Sequence, residues 1–364
     1  MKTVLATTAA AALALAGAVG ACPEHDSDGH LEARQAKATG ALAGYFDYDV
    51  YPKAQAENVT KYIAAAKAYA RDDVYPYYAR DCNFYSANTK LDSAGNHDGL
   101  APATEVFKDF YFVGLSSWTA WAYDTGDGLI IYDTLASAAE AENIILPGLA
   151  KFGFTGKDIK YVFISHEHFD HYGGAKYLQD NFDPIIVASK DTWAAMEKLP
   201  ATADPAPPVR NAKAITVTKD GSEITLGNVT TTMYLTPGHT NGTMSYILPV
   251  TDSQTGEKML AGMYGGSGAS STAWSLGVQA TQLVRWADLS RKKGVKAFVS
   301  NHHSRDHSLY HIEEYAHRVC DPKGRHCNFA HPWVHTPDWY YRWAMMGSYC
   351  IRAQAARGGF ILSQ

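Results

Sequence analysis

Charge is scarce in this chain. Asp, Glu, Lys and Arg make up 19% of its 364 residues, and the formal net charge of −5 is not gathered into blocks. So mild and even a distribution offers no basic groove, which argues against nucleic acid as a partner. No internal repeat is evident, so the chain does not read as a stacked array. Cysteines number five, Cys22, Cys82, Cys320, Cys327 and Cys350, an odd count that leaves one thiol over if the others pair. The apolar run from Val4 to Val19 is a little short to span a membrane and gives way to polar Pro23-Glu24-His25-Asp26, so no membrane span is expected. What the chain has is apolar bulk. It is 46% hydrophobic, enough to bury one large core or two smaller ones, and its 23 tyrosines cluster in stretches such as Tyr75-Pro76-Tyr77-Tyr78 and Trp339-Tyr340-Tyr341. Those stretches are read as packing surfaces before a substrate wall.

Residues 1–21 read as a signal peptide. Lys2 gives a small positive start, the following run is rich in Ala and Leu, and Val19-Gly20-Ala21 suits signal peptidase. Val19-Gly20-Ala21-Cys22 also resembles a lipobox, which would leave a lipid on Cys22. The sequons at Asn58, Asn228 and Asn241 favour a secreted, extracellular glycoprotein instead. In an oxidising compartment Cys320 and Cys327 would close a short loop, and Cys82 and Cys350 would tie the two ends of the chain together, with Cys22 odd. Four cysteines allow three pairings, and spacing does not choose among them.

The densest chemistry lies in His166-Glu167-His168-Phe169-Asp170-His171. Three imidazoles and a carboxylate in six positions exceed what one ion can use from so short a stretch. Two neighbouring ions can share them, His166 and His168 facing one, Asp170 and His171 the other, an arrangement suited to hydrolysis. The helical His-Glu-x-x-His zinc motif does not apply, because the fifth position from His166 is Asp170. The segment is expected to be non-helical. Tyr161 to Ile164 is an aromatic and β-branched run that reads as a buried strand, Gly173-Gly174 break the chain, and a helix starts at Ala175.

On these residues the chain resembles the metallo-β-lactamase superfamily, whose signature His-x-His-x-Asp-His follows a strand. The resemblance extends to Gly128-Leu129-Ile130-Ile131-Tyr132-Asp133-Thr134 upstream. Downstream it includes Leu235-Thr236-Pro237-Gly238-His239-Thr240 and Phe298-Val299-Ser300-Asn301-His302-His303. It covers roughly residues 106–310. It implies an α/β fold, an αββα four-layer sandwich, with an N-terminal extension over 22–105 and a C-terminal one over 311–364. Ala54 to Arg71 has helical composition, and Ala87 to Thr104 reads as a loop.

The resemblance further implies two Zn2+ ions per chain. The first would be held by His166, His168 and His239, the second by Asp170, His171 and His302. His302 is preferred to His303 because the match places the ligand directly after Ser300-Asn301. Side chains alternate near a strand end, so both should not point inward. Many branches of the superfamily bridge the ions with an Asp, and one lactamase subclass uses a Cys there. Lys258 to Ser267 contains neither, and Met263 or a neighbour takes the place, which resembles the third lactamase subclass. Pro205 to Val209 and Lys219 to Ile224 resemble that subclass too.

The implied function is a secreted dinuclear zinc hydrolase. A metal-bridging hydroxide would open a cyclic amide in a small-molecule substrate, with Asp170 both ligating the second ion and orienting the nucleophile as the catalytic residue. Glu167, between two ligands, is expected to point away and serve structure, and Asp133 to anchor a loop. Within enzymes the alternative is a lactonase, esterase or thioester hydrolase; outside them, a non-catalytic zinc-binding relative. The C-terminal histidines at 307, 311, 317, 326, 331 and 335 sit in no defined ligand motif and are expected to pack around the domain.

Overall fold

Strands that alternate inward and outward and are apolar on both sides need cover on both faces. Strand β4 (Leu129–Tyr132) shows how this chain meets that need: all four residues are buried, Ile130 and Tyr132 in one core, Leu129 and Ile131 in another. The computed structural model describes residues 53–84, 101–115, 118–200, 202–266 and 268–362. The expected signal peptide, Cys22 and residues 87–100 of the expected 87–104 loop lie outside the described residues; 101–103 are irregular and Thr104 already belongs to a strand.

The first sheet has seven strands in sequence order. These are β1 (Thr104–Phe107), β2 (Phe110–Phe112), β3 (Trp121–Asp124), β4, β5 (Ile159–Phe163), β6 (Ile185–Ser189) and β7 (Ile215–Val217). Pairing is antiparallel from β1 to β4 and parallel from β4 to β7. The second sheet is built from β8 (Ser222–Leu226), β9 (Val229–Leu235), β10 (Met244–Thr251), β11 (Lys258–Met263) and β12 (Val295–Val299). Its order is β12-β11-β10-β9-β8, with the β11–β12 pair parallel and the rest antiparallel.

Three apolar cores separate four layers. Between the sheets, Trp121, Tyr132 and Phe163 of the first meet Tyr246, Met263 and Val299 of the second. Outside the first sheet, Ile131, Val162 and Ile186 pack against α2 (Ala175–Phe182), α3 (Lys190–Met196) and the helical stretch over 138–150. Outside the second sheet, Ile247, Val295 and Phe298 pack against α1 (Ala56–Ala70), α4 (Ala273–Lys293) and α6 (Pro337–Arg357). A shorter α5 (Ser308–Ala316) follows β12. The αββα sandwich expected from the sequence is the observed architecture.

The stretches before and after the core of the fold complete its last layer. Helix α6 starts where it does because Thr336 Oγ1 accepts from the Trp339 amide at 3.0 Å and Pro337 occupies the first turn. Its Trp339, Tyr340 and Trp343 cover Phe298 of β12, with ring centroids 4.4–5.8 Å away. Cys350 of α6 is bonded to Cys82 in the turn over Ala79–Phe84, and Cys320 to Cys327, both as the sequence suggested. Tyr77, Tyr78 and Tyr340 are buried in this layer, so these tyrosines serve packing. Among the described residues no helix is long and apolar enough to cross a membrane.

Candidate metal centre

The turns that follow β4, β5, β9, β11 and β12 bring the sequence-identified residues to one place. After β5 the chain bends over His166–His168, with His168 itself in an extended conformation. His166 and His168 both reach one place, while Glu167 between them turns to Thr192 and Thr240. Phe169–Tyr172 then forms a single helical turn, a departure from the non-helical reading. The turn matters chemically. Neighbouring residues on an extended chain diverge, whereas the turn lets Asp170 and His171 approach one point, Asp170 Oδ2 lying 3.3 Å from His171 Nε2.

Gly173 does not break this turn; its backbone is helical. It is glycine because the loop after β4 runs hard against it: a Cβ would stand 2.1 Å from the Ala136 carbonyl carbon.

Two groups of three ligand atoms result, His166, His168 and His239 in one and Asp170, His171 and His302 in the other. In the first, His168 Nδ1 lies 3.2 Å from His166 Nε2 and 3.1 Å from His239 Nε2. Zn–N bonds of about 2.0–2.1 Å at tetrahedral angles put two ligand nitrogens about 3.3–3.4 Å apart, so the three are spaced as ligands of one ion. In the second, Asp170 Oδ2 lies 3.3 Å from His171 Nε2 and 3.6 Å from His302 Nε2. His171 Nε2 is buried yet makes no hydrogen bond, an orphaned atom that a cation would satisfy. The groups adjoin, the His166 and His171 rings lying 4.0 Å apart. Among the described residues, three potential ligands converge at these two places alone. The C-terminal histidines instead stack on aromatic rings, His331 on Phe107 at 4.4 Å and His335 on Trp339 at 3.7 Å.

Behind the ligands lies a hydrogen-bonded layer. Asp133 Oδ2 accepts from His171 Nδ1 and from the Ser165 hydroxyl, each at 2.7 Å, and Oδ1 accepts from the Ser165 amide at 2.7 Å. Asp133 thus does anchor a loop, as read from the sequence, but it also fixes the His171 tautomer so that Nε2 faces the centre. Asn301 Nδ2 donates to Ser165 Oγ and to the Gly265 carbonyl, both at 3.0 Å, and His239 Nδ1 donates to the Gly268 carbonyl at 2.7 Å. Gln279 of α4 holds that carbonyl and Gly266 O as well, at 2.7 and 2.9 Å. Glu167 turns away as expected, accepting from Thr192 at 3.1 Å and Thr240 at 2.8 Å, and so ties the β5 and β9 loops together.

Sequence reasoning missed Asn301, Ser165 and Gln279. The first two adjoin ligands in the motifs, a usable signal; Gln279 carries none. Met263 is buried in the intersheet core.

Electrostatics sort the two groups. Burial, reinforced by neighbouring imidazoles, pushes His166 and His239 down, the latter to about 3, and burial also lowers His168. Neutral rings are the form that ligates. At His171 burial opposes charge, but the Asp170 and Asp133 carboxylates win and lift it to about 10. Two carboxylates on either side of one ring favour a cation at Nε2, proton or metal. Asp170 is itself held ionised: burial works against it, and His171 and His302 outweigh burial.

Residues 114–252 match the family model of the Metallo-beta-lactamase superfamily. The chain carries a metallo-beta-lactamase superfamily domain. A curated relative, the hydroxyacylglutathione hydrolase of Brucella anthropi, is 29% identical over 127 residues. That stretch spans 34% of this chain and 42% of the relative, less than half its length. Among solved structures, the native FEZ-1 metallo-beta-lactamase from Legionella gormanii aligns with a TM-score of 0.54 at 19% identity, over 67% of this chain and 92% of that one. The subclass B3 metallo-beta-lactamase BJP-1 of Bradyrhizobium japonicum aligns at 0.53 and 20%, over 69% and 92%. MEM-A1, a subclass B3 enzyme from a soil metagenome, aligns at 0.54 and 22%, over 67% and 92%. At these identities the structural likeness carries the fold, and the substrate is a separate question. Members of the superfamily typically bind metal ions, and the six gathered residues, five within the matched stretch and His302 beyond it, fit that role.

Proposed function

We propose that the protein is a secreted dinuclear zinc hydrolase that opens a cyclic amide in a small-molecule substrate. The observation that carries this reading is the adjoining pair of three-ligand groups, with His171 Nε2 buried, without a hydrogen bond and turned to Asp170 while Asp133 holds Nδ1. Bound there, zinc would supply Lewis acidity and bring the pKa of coordinated water to about 7. His166, His168 and His239 would hold one ion, and Asp170, His171 and His302 the other. Asp133 keeps His171 in the ligating tautomer, and Asp170, ionised at neutral pH, offers its carboxylate to orient an attacking water. Phe169, half exposed on the ligand turn, and Trp118, 6.3 Å from it edge-on, give the mouth an apolar rim for substrate. Secretion is supported by the two disulfides, which fit an oxidising compartment.

A thioester is the second reading, favoured by the name of the Brucella relative. The absence of Asp from Lys258 to Met263 argues against it, since the branches that cleave thioesters resemble those with a bridging Asp. The test is elemental analysis of zinc-reconstituted protein together with a panel of a chromogenic cephalosporin, a lactone and an acyl thioester. Two zinc ions with turnover of the cephalosporin is the expected result. Turnover of the thioester alone would replace the lactam reading, and two ions with no turnover would favour a zinc-binding relative without catalysis.

A further inference from the structure

The six gathered residues are not held alike. His171 is fixed through Asp133, and His239 through the Gly268 carbonyl. His302 comes from the loop over 300–308, and its side chain is 24% exposed. Asp306, wholly buried, closes that loop on itself. Its carboxylate accepts from the Ser300 amide at 2.7 Å, the Ser308 amide at 3.0 Å and the Ser308 hydroxyl at 2.5 Å. The Arg305 amide donates to the His302 carbonyl at 2.9 Å. A loop bonded in this way shifts as one piece, so a force on Arg305 reaches His302.

Arg305 is in turn paired with a residue from before the matched domain. Its guanidinium, 7% exposed, donates to Asp81 Oδ1 at 2.5 Å. Two positions on, His307 takes the left-handed conformation (φ 58°), uncommon outside glycine. Its ring stacks on Tyr77, with centroids 4.5 Å apart and planes within 4°. Asp81 belongs to the Ala79–Phe84 turn, whose Cys82 is bonded to Cys350 of α6. The loop thus leans on one short stretch, Tyr77 to Cys82, that is itself fastened to the helix layer.

We propose that Asp81 is a positioning residue for His302, and that the Asp81–Arg305 pair sets how tightly the second ion is held. The proposal rests on the dinuclear reading above. It goes beyond that reading, because Asp81 lies outside the matched residues 114–252 and is set apart from the ligands by Arg305. A guanidinium so little exposed is costly to keep once its counter-charge is taken away. Moving outward relieves it and carries the His302 carbonyl along. Metal–ligand distances hold to about 0.2 Å, so a small shift is enough to weaken the ion.

The test titrates zinc into the full metal-free chain against a chromophoric chelator, which reads the two affinities separately. His302→Ala marks which of the two belongs to His302. Asp81→Asn should weaken that ion about tenfold and leave the other within about twofold of the parent. Asp73→Asn is the control for a merely structural role. Asp73 pairs at 2.5 Å with Arg342 of α6, not with the loop, and its loss should leave both affinities as they are. An unchanged His302 ion in Asp81→Asn, equal weakening of both ions, or the same loss in Asp73→Asn overturns the assignment. If Asp81→Asn does not fold, Arg305→Met takes its place in the same comparison. If the parent takes up fewer than two ions, the dinuclear reading fails by itself. Hydrogen exchange of the amides over 300–308 in the metal-free protein then judges the positioning. Faster exchange in Asp81→Asn than in Asp73→Asn supports it, and equal or slower exchange overturns it.

Discussion

Asp133 and Asp170 both press on His171, yet they do different work. Asp133 acts through the ring, holding Nδ1–H at 2.7 Å, whereas Asp170 Oδ2 faces the same point as His171 Nε2. On the proposed dinuclear zinc reading, replacing Asp133 with Asn should weaken metal at the second group by about 10–100-fold and leave the first group intact. Chelator competition followed ion by ion would read this, and equal loss at both sites would refute the assignment. Replacing Asp170 with Asn should lower turnover by about 10²-fold or more while the three first-site histidines keep their ion. A variant that holds its first zinc and turns over at the parent rate would remove Asp170 from the chemistry. His302 is the partner in the second group, and the structure gathers it rather than adjacent His303, which opens the short helix over 303–306.

At the scale of elements, the last helix layer joins the two ends of the chain. The Cys82–Cys350 bond spans a sequence separation of 268 and fastens the turn after α1 to α6. Arg305 pairs with Asp81 of that turn at 2.5 Å, and Arg357 donates to the Cys82 carbonyl at 2.8 Å, so the turn is held from three sides. Removing the cross-link with Cys82→Ala and Cys350→Ala together should cost about 2–5 kcal/mol, because the unfolded chain regains the freedom of a long loop. Urea unfolding with an unchanged midpoint would show that packing alone holds the layer. The sequence made α1 legible by its helical composition and β5 by its aromatic and β-branched run, while β4 and β12 were read from the family resemblance. It did not show that Phe169 to Tyr172 would wind into a turn. That winding depends on Gly173 fitting against Ala136, a contact across 37 positions that no local pattern contains.

The whole molecule carries an acid sensitivity outside the metal centre. Burial pushes His311 down to about 3 and His331 and His335 to about 4, and each keeps a buried ring nitrogen without a hydrogen bond. The folded chain therefore holds these rings neutral where the unfolded chain protonates them near 6.5. Below that pH the unfolded state binds more protons, so stability falls as pH drops from about 6.5 towards 4, by about 1.4 kcal/mol per pH unit for each fully titrating ring. Asp306 acts oppositely: burial lifts it to about 7, so it favours the fold as pH falls from 7 towards its ordinary range. Three groups outweigh one. Denaturant unfolding between pH 7 and 4 should show the loss, and His335→Phe, which keeps the stack on Trp339, should reduce its slope. An unchanged slope would exclude His335 as a contributor.

The sequence alone determined the ligand chemistry. Three imidazoles and a carboxylate at His166, His168, Asp170 and His171 are recognisable by type and spacing, because ligation is a property of the side chain, whereas His239 and His302 were assigned through the family resemblance of their motifs. The buried apolar run at Tyr161 to Ile164 was readable as a strand for the same local reason. Tertiary structure decided what the ligands lean on. Asn301 reaches Ser165 across 136 positions, and Gln279 holds the carbonyls beside His239 from the far helix layer. It also decided that the chain's two ends would meet on one sheet face. Such contacts depend on which faces pack together, and that follows from burying apolar surface across the whole chain rather than from any one segment of it.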